Sequence, residues 1–173
     1  MRILRFNESS DELKNQLRER LIEIRDVFTD FEDMDIISYC VIPTGYQLLV
    51  NNNQFNPKKD FEKFLDQIVP IINIGLTPDD KLGGPGLTSK YNLIGSKHMD
   101  LSDKNICVIC NIKIPGERDS TGNTVIDSEG IKIFEEILSA NSRLIDMGYD
   151  IKLNLNSNHM DYKPVKFLIY FNI

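Results

Sequence analysis

The sequence predicts an α+β fold, a mainly antiparallel sheet covered by amphipathic helices. Two long segments carry apolar residues in steps of three and four, the period of a helix with one buried face. Around them lie short runs rich in Val, Ile, Tyr and Phe, the composition of half-buried strands. A third observation sets the scale. The chain has 173 residues, 41% hydrophobic and 27% charged. A chain of that size buries roughly 70% of the surface its unfolded form exposes, enough to fold without disulfides or a structural metal.

The elements follow in order. Residues 2–6 read as a short strand. Ser9 or Ser10 then caps a helix, with Asp11 and Glu12 in the first turn, where the positive end of the helix dipole favours them. Leu13, Leu17, Leu21, Ile24, Phe28 and Phe31 form one apolar stripe, and Lys14, Arg18, Glu19, Arg25 and Asp26 lie on the opposite face. Asp35 to Val41 and Tyr46 to Asn51 read as strands joined in a hairpin at Pro43-Thr44-Gly45. A shorter helix from about Lys58 buries Phe61, Phe64, Leu65 and Ile68, and Pro70 ends or kinks it because proline lacks an N–H donor.

Between Asn73 and Asp103 the pattern dissolves. Pro78, Gly83, Gly84, Pro85 and Gly86 mark an irregular connection of a length that is usually functional or disordered. A strand covers Asn105 to Ile114, and Gly116 to Asn123 is a polar loop. Asp127 or Ser128 caps a last helix bearing Ile131, Phe134, Ile137, Leu138, Leu144 and Ile145, with Gly148 as the residue just past its end. Two strands, Tyr149 to Asn156 and Val165 to Asn172, complete the chain, joined by Ser157 to Pro164.

Both ends therefore repeat the order strand, helix, strand, strand. Matching Asp33-Met34 with Asp146-Met147 lays Leu21, Ile24 and Phe31 on Phe134, Ile137 and Leu144. The expected organisation is one domain over 1–173. Its candidate halves, 1–72 and 105–173, are each a βαββ unit, joined by the irregular segment 73–104.

Charge narrows the function classes. The formal net charge is −6 and the pI about 5.0, and an acidic surface repels phosphate backbones. No Lys/Arg run offsets it, since Lys58 and Lys59 are followed by Asp60 and Glu62. Nucleic acid is thus disfavoured as a partner. No apolar run approaches the roughly 20 residues of a membrane span, and no signal-peptide pattern opens the chain. The expected location is the cytoplasm.

Cys107-Val-Ile-Cys110 has the spacing of a redox or zinc pair. It lies in a strand, however, where residues three apart point to opposite faces. Cys40, Cys107 and Cys110 are therefore expected as buried structural thiols. Gly83-Gly-Pro-Gly86 lacks the Gly-Lys-Ser/Thr ending of a phosphate-binding loop, and Lys81 and Lys90 stand at the wrong positions, so it reads as a linker or lid. No cofactor motif occurs. Tyr39, Tyr46, Tyr162 and Tyr170 sit in strand-like surroundings and read as packing residues.

The catalytic alternative rests on the two histidines. Both occur in one context, Ser96-Lys-His98-Met-Asp100 and Ser157-Asn-His159-Met-Asp161. His and Asp ligate zinc, manganese or iron, so His98, Asp100, His159 and Asp161 could complete a metal site if the two loops met. Either histidine could instead serve as a general acid or base. Two such motifs in a repeated chain resemble the two-histidine phosphoesterases, whose halves each carry His-x-Thr or His-x-Ser. Here both motifs end in Asp and lack that phosphate-holding hydroxyl.

A second resemblance lies at the N-terminus. Met1-Arg-Ile-Leu-Arg-Phe-Asn-Glu-Ser9 resembles the starts of small tailed-bacteriophage proteins and, loosely, the capsid-targeting leaders of T4-like phages. Those leaders are cut after an apolar-x-Glu site. Leu21-Ile-Glu23 fits that pattern, but it falls inside the first predicted helix. Asp26 to Asp33 also resembles segments of small phage proteins. The resemblance implies a phage accessory or structural protein, in the host cytoplasm or the virion. With no convincing catalytic set, no cofactor motif and abundant strand sequence, the expected function is non-enzymatic, through a protein partner or self-association. Strand addition at Phe167-Leu-Ile-Tyr-Phe171 is the expected mode of contact, provided that strand is an exposed edge.

Overall fold

The computed structural model describes residues 2–44, 46–48, 57–76, 93–95, 103–115, 117–118, 120–121, 124–125, 127–155 and 165–173. Its first helix, α1 (Arg2–Val27), is prolonged after one turn residue by α2 (Thr29–Asp33). Together they bury Leu17, Leu21, Ile24, Phe28 and Phe31, the stripe read from the sequence. The expected strand at 2–6 is instead the opening of α1, and Ser9 and Ser10 lie inside that helix. A run of five residues carries too little period to separate strand from helix. A helix also satisfies its own backbone, whereas a strand needs a neighbour to do so.

β1 (Ile37–Pro43) follows, and then β2 (Tyr46–Leu48). The expected hairpin between them does not form. β2 pairs antiparallel with β3 (Leu93–Gly95), while β1 pairs along its whole length with β4 (Ile106–Ile112). The Thr44 N–H donates to the Asn105 carbonyl at 2.9 Å, so the residue after Pro43 extends the β1–β4 ladder and does not turn back.

α3 (Phe61–Leu76) runs six residues beyond Pro70. Proline removes one helical hydrogen bond, but it sits on the exposed side. Ile68, Val69, Ile71 and Ile72 around it are all buried, and that burial outweighs the missing bond. The predicted polar loop Gly116 to Asn123 holds one strand of a short ribbon, β5 (Glu117–Arg118), which pairs with β6 (Thr124–Val125) just past its end. α4 (Ser128–Asp146) then begins at Asp127, whose carboxylate accepts from the Gly130 N–H at 2.8 Å. β7 (Asp150–Asn154) and β8 (Val165–Phe171) complete the order.

The main sheet has the order β1-β4-β8-β7, with every pairing antiparallel. Its central pair comes from both chain regions, with Ile109 opposite Leu168. Ile37, Tyr39, Val41, Ile106, Val108, Cys110, Phe167 and Ile169 point to the helix-covered core. Cys40, Ile42, Cys107 and Tyr170 form a smaller cluster on the other face. The α+β reading therefore stands, with an antiparallel sheet and amphipathic helices on one side of it.

The helical ends repeat bond for bond. Met34, Asp35 and Ile36 donate to the carbonyls of Asp30, Glu32 and Phe31. Met147, Gly148 and Tyr149 donate to those of Arg143, Ile145 and Leu144. Asp35 (φ 55°) and Gly148 (φ 86°) are the left-handed residues that turn each helix into its strand. Asp35 enters that region with a side chain that is short and polar, which lowers the cost. The register between Asp33-Met34 and Asp146-Met147 is thus a structural correspondence. The repeated unit is helix, cap, strand, however, because the leading strand of the first βαββ unit is absent.

Over the sheet, α3 packs on β1 and α4 on β7, with α1 between the two helices and touching both. Arg18 is paired in two-pronged fashion with Glu62 of α3, at 2.9 and 2.8 Å, and holds that carboxylate down at about 2. Lys14 bonds Asp66 in the same seam. On the other flank, the Tyr149 hydroxyl donates to Glu23 at 2.7 Å, tying α1 to the end of α4.

Candidate functional site

His98, Asp100, His159 and Asp161 lie outside the described residues, as do the glycine-rich segment Gly83 to Gly86, Lys81 and Lys90. Among the described residues no group of three or more His, Cys, Asp and Glu side chains is arranged to hold a metal ion. No helix among them is long and apolar enough to cross a membrane.

The Cys-x-x-Cys pair is split by the pleat of β4. Cys110 lies in the core beneath the helices, and Cys107 lies on the opposite face with Cys40. All three thiols are buried, and none is joined in a disulfide. Burial raises the Cys40 thiol to about 12 and pushes Cys110 up as well. A nucleophilic or metal-binding thiolate needs the reverse shift.

The principal buried polar cluster escaped the sequence reading. Glu32 is only 6% exposed. It receives both Nε and Nη2 of Arg25 at 2.8 Å, and the Tyr39 hydroxyl donates to its Oε1 at 2.8 Å. Arg25 also stacks over the Phe61 ring at 4.9 Å, and Lys58 Nζ reaches the Glu32 carbonyl at 3.3 Å. Desolvation, reinforced by nearby negative charge, raises the Tyr39 hydroxyl far above its ordinary range. Arg25, Glu32 and Tyr39 are spaced seven apart along the chain. That spacing was a visible signal, but the sequence pattern assigned Arg25 to the solvent face. Every charge in the cluster is paired, and its role is to lock α1, α2, β1 and α3 together.

A different surface stands out on α4. Gly130, Ile133, Ile137, Ala140 and Leu144 make its buried face. One residue further round, Ile131, Leu138 and Ile145 are 55%, 45% and 54% exposed. In the register of the two caps these three correspond to Arg18 and Arg25 of α1 and Glu32 of α2, the residues that meet α3 and its approach. Three successive antiparallel pairings make β1 and β7 antiparallel. α1 and α4 turn into those strands through equivalent caps, so they also run in opposite directions on the same sheet face. The α3-facing flank of α1 looks toward the β1 edge. The equivalent flank of α4 therefore looks outward past β7.

β7 stands at the end of the sheet order, with β8 its one ladder neighbour among the described residues. Ile151 and Leu153 on its inner side are only partly buried, and Leu155 just beyond it is exposed. Among the described residues, the place that α3 fills beside α1 thus has an open, apolar counterpart beside α4. Sequence reasoning placed the contact strand at Phe167–Phe171. β8 is internal, flanked by β4 and β7, so it cannot accept an added strand.

No protein-family model, no curated protein and no solved structure matches this chain.

Proposed function

We propose that this chain is a non-enzymatic accessory or structural protein that works by contact with protein surfaces, of the phage type its N-terminal sequence resembles. The observation that carries the reading is the exposed apolar row Ile131, Leu138 and Ile145 beside β7, the end strand among the described residues. Apolar side chains of this size on a helix flank, next to an edge strand, are a common form of protein-contact surface. The buried thiols and the fully paired Arg25–Glu32–Tyr39 cluster give packing and order, as a structural role requires. Residues 21–23 lie inside α1, with Leu21 in the core and Glu23 held by Tyr149, so removal of a leader there would dismantle the helical layer.

The competing reading is a hydrolase using His98, His159, Asp100 and Asp161. A thermal melt with chelator, zinc or manganese separates the two. A metal at 100 times its dissociation constant adds about 2.7 kcal/mol, or roughly 5–11 °C at this chain length. The contact reading predicts midpoints that agree with and without metal, in the wild type and in His98→Ala and His159→Ala. A metal-dependent rise of that size, lost in both variants, overturns it in favour of a metal site.

A further inference from the structure

We infer that a second copy of this chain occupies the α4–β7 face, two β7 strands pairing antiparallel across a two-fold axis to form a continuous eight-stranded sheet with α4 packed on its partner's α4. This deepens the contact-protein reading by naming the partner.

Three features of the face favour a copy of itself. The first is the row on α4. Ile131, Leu138 and Ile145 are evenly spaced, so a two-fold axis at Leu138 sets each Ile131 against the partner's Ile145 and the two leucines together. Phe134, half-buried on the same flank, widens the strip. The helices then run antiparallel, which also opposes their dipoles favourably.

The second feature is charge. A two-fold axis normal to the sheet keeps both α4 helices on one face, so each β7 residue must meet one of the same facing, and the axis must pass through a residue pair. Centring on Asp150 or on Lys152 puts like charges directly opposite each other. Centring on Ile151 puts Asp150 opposite the partner's Lys152 twice over, both side chains being exposed on the outer face. Directly opposed unlike charges stabilise an antiparallel pair, and like charges destabilise it. The same register brings exposed Leu155 toward the partner's exposed Met147.

The third is that the two axes coincide. From Leu138 the helix continues to Met147, about 14 Å at 1.5 Å per residue. The chain then reverses at Gly148 and runs back to Ile151, about 10 Å. The helix centre and the strand centre therefore lie within about 4 Å of each other along the strand direction. One axis serves both contacts.

The test is sedimentation over a concentration series with two charge variants, Asp150→Lys and Lys152→Asp. Each variant alone faces like charges across the axis, whereas the two mixed together restore both opposite pairs. The expected result is a dimeric wild type, two monomeric variants with unchanged circular dichroism, and dimers re-formed on mixing in a one-to-one ratio. Leu138→Lys, at an exposed position, is expected to remain monomeric even when mixed with the wild type. A wild type that stays monomeric overturns the inference and leaves the face to a partner of other sequence, without touching the contact reading. A dimer indifferent to all three substitutions overturns it too, by placing association elsewhere.

Discussion

Glu32→Ala is expected to destabilise the protein by about 3–5 kcal/mol, the usual cost of removing one partner from a buried ion pair. The mutation deletes the acceptor of both Arg25 nitrogens and of the Tyr39 hydroxyl. Arg25 is left partly buried over Phe61 with its positive charge uncompensated. The Tyr39 hydroxyl, on a side chain 1% exposed, is left without its acceptor. At 2–4 °C per kcal/mol for a chain of this length, the midpoint falls by roughly 6–20 °C. Glu32→Gln retains an acceptor for Tyr39 and is expected to lose less. Urea unfolding measures both. A loss below about 1 kcal/mol for the alanine variant would show that the cluster does not behave as a buried pair.

Phe28→Ala is expected to cost about 3–5 kcal/mol for a different reason, the loss of buried apolar area plus the cavity left behind. Phe28 is fully buried at the junction of α1 and α2, with its ring centroid 5.1 Å from Phe167, 5.9 Å from Phe31 and 6.5 Å from Tyr39. Three secondary-structure elements lose their common neighbour when it goes. The urea midpoint should drop with the slope unchanged, because the surface exposed on unfolding is nearly the same. Phe28→Leu fills most of the volume and should recover more than half of the loss. If Phe28→Leu and Phe28→Ala are equally unstable, volume is not what this site supplies.

The legible parts of the fold were those where period and end signals agreed. Leu17 to Phe31 announced a buried stripe, Asp127 and Gly148 marked both ends of α4, and the Asp33-Met34/Asp146-Met147 register anticipated a repeated cap. The failures have physical causes. Residues 2–6 are too short to carry a period, and a Pro-Thr-Gly signal describes a local turn while strand pairing is decided at long range. Pro70 was read from its missing donor alone, without the burial of Ile71 and Ile72 that follows it. α4 carries two adjacent apolar rows, and the spacing does not say which one faces the sheet. That ambiguity hid the row Ile131, Leu138 and Ile145 until the buried face was known. Glu32 was hidden in the same way, since a charged residue beside an apolar stripe reads as solvent-facing until its partner Arg25 is placed.

The most direct test of a β7-centred contact surface is amide hydrogen exchange over residues 150–154 as a function of protein concentration. Within β7 alternate amides point toward β8, and the others point outward. The dimer predicts that the outward set slows as concentration rises, and that Lys152→Asp abolishes the slowing while the β8-facing set stays protected. Outward amides that exchange at one fast rate at every concentration would contradict it, because the edge would then be open to water and not closed by a second chain.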